Sequence, residues 1–466
     1  MIRRWSFVIL SAIHLTSCEY DLRRIVTVKE ALELASDSTY EVHYLASNLP
    51  IVIIETNGQE IPDEPRITAH MGIVYNGEGR FNRSWDSYNN YDGLITIERR
   101  GFTSQNFPKL QYAIETVNAK GAPRNCELLG LPKENDWILH APYSDKSLIR
   151  NVLMYQWWAD LGHYATRTKY CEFILNGSYN GLYILIEQIK WDKNRVNIAK
   201  IDLDDNAGDS LTGGYIIKID KPIGGDAEID WVTRVDSFQG VKANVAFQYD
   251  YPKDDDITPQ QEEYIQNFVH ELEAVLLSVS FDDKKNGYRK YVDVESFIDY
   301  FIMQELAHNV DGYRSSTYFF KRRDSEGGGR LEVGPIWDFN LSLGNTTGCE
   351  GDKAEGWSLD HPCDPTVIPF WWRRMNQDEW YKEKLIGRWK ELRSGPLRNE
   401  KLLADIDAKV VEMGGAVQRN FTRWRILGTE VWPNNFVGNT HEEEIEYLKD
   451  WLLKRLKWID ENIEDV

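Results

Sequence analysis

The sequence is short of positive charge. Its 54 lysines and arginines face 74 aspartates and glutamates, a formal net charge of −20. Non-specific nucleic-acid binding needs a basic face, so this balance argues against that class, and equally against docking on anionic lipid through charge. Cysteine is scarce as well: there are five, none in a Cys-x-x-Cys pair, which disfavours a structural zinc site. No similarity recurs at intervals of 20–50 residues, which disfavours a solenoid or propeller. Walker-type phosphate loops and dinucleotide glycine fingerprints are absent. The nine histidines show no ligand spacing, and His270-Glu271 is followed by Ala274 where a zinc protease needs its second histidine.

What the chain does have is an ordinary soluble balance, 42% hydrophobic and 27% charged, over 466 residues, enough for two or three cores. Its one membrane-directed segment is at the start. Arg3 and Arg4 precede the apolar run Trp5 to Ile13, which is too short to span a bilayer. Leu15-Thr16-Ser17-Cys18 then resembles a bacterial lipobox, which implies a signal peptide over 1–18 and a lipid anchor on Cys18. A plain secretory signal or a buried N-terminal strand is the alternative. In an exported protein the other cysteines can oxidise. Cys349 and Cys363, close together in a polar loop, are the candidate disulfide, whereas Cys126 and Cys171 read as packed thiols.

Residues 19–90 read as a tether, with a helical pattern at Val28–Leu34, and a β-rich segment. Strand runs follow at Leu49–Ile54, His70–Tyr75 and Leu94–Ile97. A helix capped by Asp145 runs through Val152 and Tyr155 to Leu161. Tyr170–Leu175 and Leu182–Ile186 flank Asn176-Gly177, a hairpin signature, and Tyr215–Ile219 is a further strand. Helices then open at Thr258-Pro259, at Asp293, and at Thr440 with its capping-box partner Glu443. The order predicts a two-lobed α+β fold, with a β-rich N-terminal lobe, an α-rich C-terminal lobe and a cleft between them.

Two carboxylates stand out. Asp311 follows the apolar helix ending near Leu306, and Asp338 follows the strand Leu331–Ile336. They bracket a hairpin-like unit and can face one pocket. Phosphoryl transfer needs such a pair: one to orient or deprotonate the attacking hydroxyl, one to hold Mg²⁺ against the phosphates. Otherwise each simply starts or caps a turn. A second constellation, Arg99-Arg100-Gly101-Phe102-Thr103-Ser104-Gln105, leads to Phe107-Pro108-Lys109 between two strands and offers amides, hydroxyls and cations to phosphate oxygens.

With these residues in view, the chain resembles the spore coat protein H (CotH) kinase family of atypical secreted kinases, from about Leu49 to near the C-terminus. The matching pieces are Arg100-Gly101-x-x-Ser104-Gln105 with Phe107-Pro108-Lys109, Leu129-Gly130-Leu131-Pro132 with Asp136-Trp137-Ile138-Leu139, and Arg150-Asn151. Asn176-Gly177, Gly181-x-Tyr183, Glu187, Arg195-Val196-Asn197-Ile198, Asn309-x-Asp311-Gly312 and Gly334-Pro335-Ile336-Trp337-Asp338-Phe339 complete the set. The resemblance implies a kinase-like core over 91–345, with 346–466 as a helical continuation of its second lobe. It implies transfer of the γ-phosphoryl group of ATP to a protein hydroxyl, or to the chain itself, with Mg or Mn. Asp311 is then the catalytic aspartate, Asp338 the metal ligand, and Arg100, Ser104 and Lys109 phosphate contacts. Glu187 is either a hinge residue near the adenine or an ordinary salt-bridge residue.

Two positions depart from the pattern. Phe102 stands where the family usually has a small residue, and Ser316 stands where kinases commonly place an asparagine as second metal ligand. Either change leaves a nucleotide-binding pseudokinase as an alternative. A carbohydrate-binding surface protein is another, given 17 Trp and 24 Tyr with pairs at Trp157-Trp158 and Trp371-Trp372; a scaffold without chemistry is the third. The expected partners are a protein substrate and the membrane through Cys18, with no nucleic acid. The expected location is the bacterial cell envelope, on its periplasmic or outer face.

Overall fold

A computed structural model describes residues 45–221, 229–360 and 367–466, all within the compact unit formed by 39–466. Cys18, the Val28–Leu34 pattern and Cys363 lie outside the described residues. Cys349 is disulfide-bonded, and Cys126 and Cys171 are free thiols. Among the described residues no helix is long and apolar enough to cross a membrane.

The β-rich part is a closed seven-stranded barrel, which the sequence reading did not foresee. Its strands are β1 (Ile51–Glu55), β2 (Ile67–Val74), β3 (Tyr91–Arg100), β4 (Gln111–Thr116), β5 (Asp136–His140), β6 (Thr168–Leu175) and β7 (Ser178–Glu187). Neighbours pair antiparallel around the order β6-β7-β5-β4-β3-β2-β1. The ring closes through one parallel pairing, Ile51–Ile54 of β1 against Glu172–Leu175 of β6. Closure removes the exposed strand edges that an open sheet must protect. The interior is filled by Val52, Ile54, Met71, Ile95, Trp137, Leu139, Phe173, Tyr183 and Leu185. Asn176 and Gly177 both take positive φ at the β6–β7 turn, the geometry that an Asn-Gly hairpin supplies.

Strands β5 and β7 are apolar on their outer side too. Ile138, Leu182, Ile184 and Ile186 share a second, larger core with the helix α1 (Arg150–Asp160). Their sequences therefore read as continuous apolar runs rather than alternating ones. Asp145 does cap this helix, but from further upstream than a first-turn cap: its carboxylate takes the N–H groups of Ser147 and Arg150 across an intervening turn.

Past the barrel lies a five-stranded antiparallel sheet in the order β9-β10-β8-β11-β12. These are β8 (Tyr215–Ile219), β9 (Trp231–Val232), β10 (Ala246–Tyr251), β11 (Thr317–Lys321) and β12 (Leu331–Ile336). Helices accompany it: α2 (Pro259–Leu277), α3 (Val294–Ala307), α4 (Glu379–Ser394), α5 (Asn399–Met413), α6 (Ala416–Arg423) and α7 (His441–Asn462). The expected N-caps are present: Thr258 with a complete capping box to Gln261, Asp293, and Thr440. From Ser296 to Ala307 every residue of α3 is buried, as its apolar sequence requires. The chain is thus mixed α+β. The tryptophan pairs Trp157-Trp158 and Trp371-Trp372 are core, each at most 1% exposed.

Candidate functional site

Register places the site. Ile219 of β8 lies opposite Thr317 of β11, and Thr317 lies opposite Ile336 of β12. The residues just beyond these three positions, Asp220-Lys221, Ser315-Ser316 and Trp337-Asp338, therefore gather at one end of the sheet. Helix α3 ends at His308, whose left-handed conformation turns the chain towards the same end, and Asp311 follows in a tight turn closed by its own carbonyl to the Ser315 N–H. Lys221 donates to Asp311 Oδ1 at 2.9 Å. Asp220 Oδ1 accepts from Ser315 Oγ at 2.9 Å and from the Ser316 N–H at 3.3 Å, tying the loop to the end of β8.

Asp338 sits at φ 60°, a left-handed conformation that costs a non-glycine residue roughly 1–2 kcal/mol. Its N–H donates to Tyr155 Oη at 3.2 Å, and the next N–H, of Phe339, donates to Asn151 Oδ1 at 2.6 Å. From the barrel side, Arg100 at the end of β3 lies over the Trp337 ring, 5.7 Å from its centroid, and Tyr155 stacks on Trp337 with centroids 5.7 Å apart. Among the described residues the Arg100 guanidinium makes no hydrogen bond, so its five donors are available.

The charges do not balance. Burial raises the Asp338 carboxyl to about 6, and the carboxylates of Asp311 and Asp220 push the same way against Lys221 and Arg100. Burial pulls the Lys221 ammonium down, yet the carboxylates of Asp311, Asp338 and Asp220 together outweigh it and hold the ammonium above its ordinary value. Three acids and two bases lie within reach of one another's charge, and Asp338 carries the strain of that excess. Among the described residues no three His, Cys, Asp or Glu side chains are close enough to form a ready-made metal cluster. A magnesium-type ion does not require one, because it is commonly bound by one or two carboxylates plus phosphate oxygens and water. The donor set and its surplus of negative charge therefore fit such an ion.

Comparison with known proteins places the chain in a family. The family described as CotH kinase protein matches residues 97–459, well over half of the chain. The chain belongs to the CotH kinase family. A curated relative is the inner spore coat protein H of Bacillus subtilis (strain 168), 22% identical over 250 residues, which cover 54% of this chain and 59% of that protein. The chain thus spans a little under two thirds of that relative's length.

The CotH-type residues do not all lie together. Asp311, Asp338 and Arg100 act on one another through their charges, and Ser316 joins this group through its backbone bond to Asp220. Ser104 belongs to the loop after Arg100, where its Oγ packs so closely on Gly101 that a Cβ there would lie 1.9 Å away; Gly101 also has φ 100°. Phe102, at the tip of that loop, is 59% exposed.

Lys109 is elsewhere. It is 1% exposed, and its Nζ donates to the Leu182 carbonyl at 2.6 Å and to Asn420 Oδ1 at 2.8 Å. Burial lowers its pKa to about 7, and a neutral amine has two N–H groups for those two acceptors. Asn420 comes from α6, which docks on β7 where Gly181, at φ 97°, leaves no room for a Cβ. Glu187 is a salt-bridge residue: Oε1 pairs with Arg167 at 2.7 Å, and Oε2 takes the Arg167 N–H and the Tyr164 hydroxyl. Sequence reasoning missed Asp220 and Lys221. Their available signal was an acid and a base directly after a predicted strand, meaningful only once that strand was known to pair with β11.

Proposed function

We propose that this CotH kinase transfers the γ-phosphoryl group of ATP to a protein hydroxyl, with Asp311 as base and Asp338 as metal ligand. In this reading the barrel stands where a kinase has its β-rich lobe, and the sheet with its helices stands where it has the α-rich one. The observation that carries the proposal is Asp338, a carboxylate raised to about 6 beside two further acids, with Lys221 and Arg100 as the nearby bases.

Magnesium or manganese, when bound, neutralises phosphate charge and so lowers the barrier to transfer. Asp338 would hold the ion, and Ser316, in the loop tied to Asp220, would be the second oxygen donor. Arg100 directs its free donors at phosphate oxygens; its guanidinium is fixed against Trp337 and so loses little freedom on binding. Asp311, with one oxygen held by Lys221, offers the other to the acceptor hydroxyl. The hydroxyl proton passes to Asp311, its oxygen bonds to the γ phosphorus, the bond to the β-phosphate oxygen breaks, and ADP leaves. The burial of the tryptophan pairs takes away the main support for a sugar-stacking surface.

For location, we carry forward the cell envelope, with Cys18 as the anchor. The support is the signal-like N-terminus and a relative named as a spore coat protein.

The test is incubation of the purified chain with labelled ATP and Mg²⁺ or Mn²⁺. Wild type is expected to transfer label to itself or an added protein, and Asp311→Ala and Asp338→Ala to lose about 10²–10⁴-fold. Nucleotide binding without transfer points to a pseudokinase, and the absence of nucleotide binding overturns the proposal.

A further inference from the structure

The metal-side aspartate is held by a hydrogen-bond chain that starts in the barrel. Asn151 and Tyr155 stand one turn apart on α1, and each accepts a backbone N–H from the Asp338–Phe339 segment. The Phe339 N–H is only a donor, so the Asn151 atom 2.6 Å from it must be the carbonyl oxygen. Its amide nitrogen then faces His140 Nε2 at 3.3 Å. That nitrogen is a donor, so Nε2 must accept and carry no proton. The imidazole proton consequently sits on Nδ1, which donates to Gln111 Oε1 at 2.8 Å. One backbone N–H thus dictates the orientation of three side chains.

The three residues come from three elements. Gln111 is on β4 opposite Arg100, His140 ends β5, and Asn151 opens α1. His140 is 7% exposed and Asn151 5%. Burial, helped by the Arg100 charge, keeps the imidazole neutral by lowering its pKa to about 3, so the chain keeps this sense across ordinary pH.

We propose that Gln111, His140 and Asn151 are a positioning relay through which the barrel fixes the backbone that carries Asp338. The relay couples the strand paired with Arg100 to the segment bearing Asp338, so that both halves of the site keep one spacing. Its effect on metal binding rests on the kinase reading above; its effect on the Phe339 amide does not.

The experiment uses the full chain as wild type, Asn151→Ala, His140→Phe, His140→Gln and the Asn151→Ala/His140→Phe double variant. Hydrogen exchange at the Phe339 amide and the Mn²⁺ concentration for half-maximal ATP binding are both measured. Asn151→Ala and His140→Phe should each speed Phe339 exchange and raise the Mn²⁺ requirement about tenfold, as loss of an outer-shell partner typically does. The double variant should do no more than the worse single one, because both break the same chain. His140→Gln, whose amide oxygen can take the place of Nε2, should recover most of the protection. Additive effects in the double variant, or a His140→Phe protein with unchanged Phe339 exchange, would overturn the relay. A wild type that binds no ATP would sink the kinase reading alone, since Phe339 exchange still decides the relay. General loosening by His140→Phe is separated by His140→Gln, which fails to rescue if the imidazole serves only to fill space.

Discussion

Two lysines of this chain lie in opposite circumstances. Lys109 is sealed at the junction of the barrel with α6, gives its protons to two fixed acceptors and is held near neutrality. Lys221, at the end of β8, is 42% exposed along its side chain, pairs with one acid among the described residues and stays charged. The first surroundings are saturated and the second are not. Unsatisfied charge at a solvent-reaching pocket is where binding free energy remains available, whereas a buried group with every bond made contributes to the fold. The same contrast separates Glu187, fully engaged with Arg167 and Tyr164, from Asp338, whose carboxylate accepts no hydrogen bond among the described residues.

Exchanging the lysines breaks the comparison most sharply. Lys221→Met should lower phosphoryl transfer by about 10²-fold or more, since it leaves the Asp311 base without its cation, while the melting temperature hardly moves. Lys109→Met should do the reverse. It strands the Leu182 carbonyl in the interior and takes one of two donors from Asn420 Oδ1, which keeps the Leu182 N–H, at about 1–3 kcal/mol, with ATP affinity unchanged. If Lys109→Met instead loses ATP while keeping its melting temperature, Lys109 is the phosphate lysine that the family resemblance implied.

The pH dependence comes next in size. Asp338 has its carboxyl raised to about 6, so the folded state holds that proton more tightly than the unfolded chain does. Between the ordinary carboxylate range and about 6 the fold gains stability as pH falls, and above 6 it bears the full cost of the ionised group. Asp338→Asn should therefore be more stable than wild type at pH 7, by about 3 kcal/mol, with the gap closing near pH 4. Denaturant titrations at the two pH values measure it. Metal binding should run the other way and weaken below pH 6, as the ligand protonates. The smallest effect is expected from Glu187→Gln. It keeps one acceptor for the Arg167 N–H and gives up an ion pair with a side chain 40% exposed, so stability should fall by about 1 kcal/mol and ATP affinity should stay as it is.

Local signals in the sequence were reliable where the physics is local. Asn176-Gly177 announced its hairpin, and Thr258-Pro259, Asp293 and Thr440 announced their helices, because turn and cap chemistry act within a few residues. Asp311 and Asp338 were legible for a similar reason: each is an acid directly after an apolar element. Barrel closure was not, since Ile51–Ile54 finds its partner in Glu172–Leu175, far along the chain, and no alternation marks strands buried on both faces. Lys109 was placed with the phosphates because Asn420, which engages it, arrives from near the other end of the sequence. Asp220 and Lys221 stayed hidden until β8 was seen to pair with β11.

The pocket that holds Asp338 and Arg100 is claimed as the seat of a divalent ion and a triphosphate. A crystal structure grown with Mn²⁺ and a non-hydrolysable ATP analogue tests that directly through the anomalous signal of manganese. The expected result is a peak about 2.0–2.3 Å from an Asp338 carboxylate oxygen, with phosphate oxygens against the Arg100 guanidinium. A well-bound nucleotide with its metal anywhere else, and Asp338 untouched, would contradict the account.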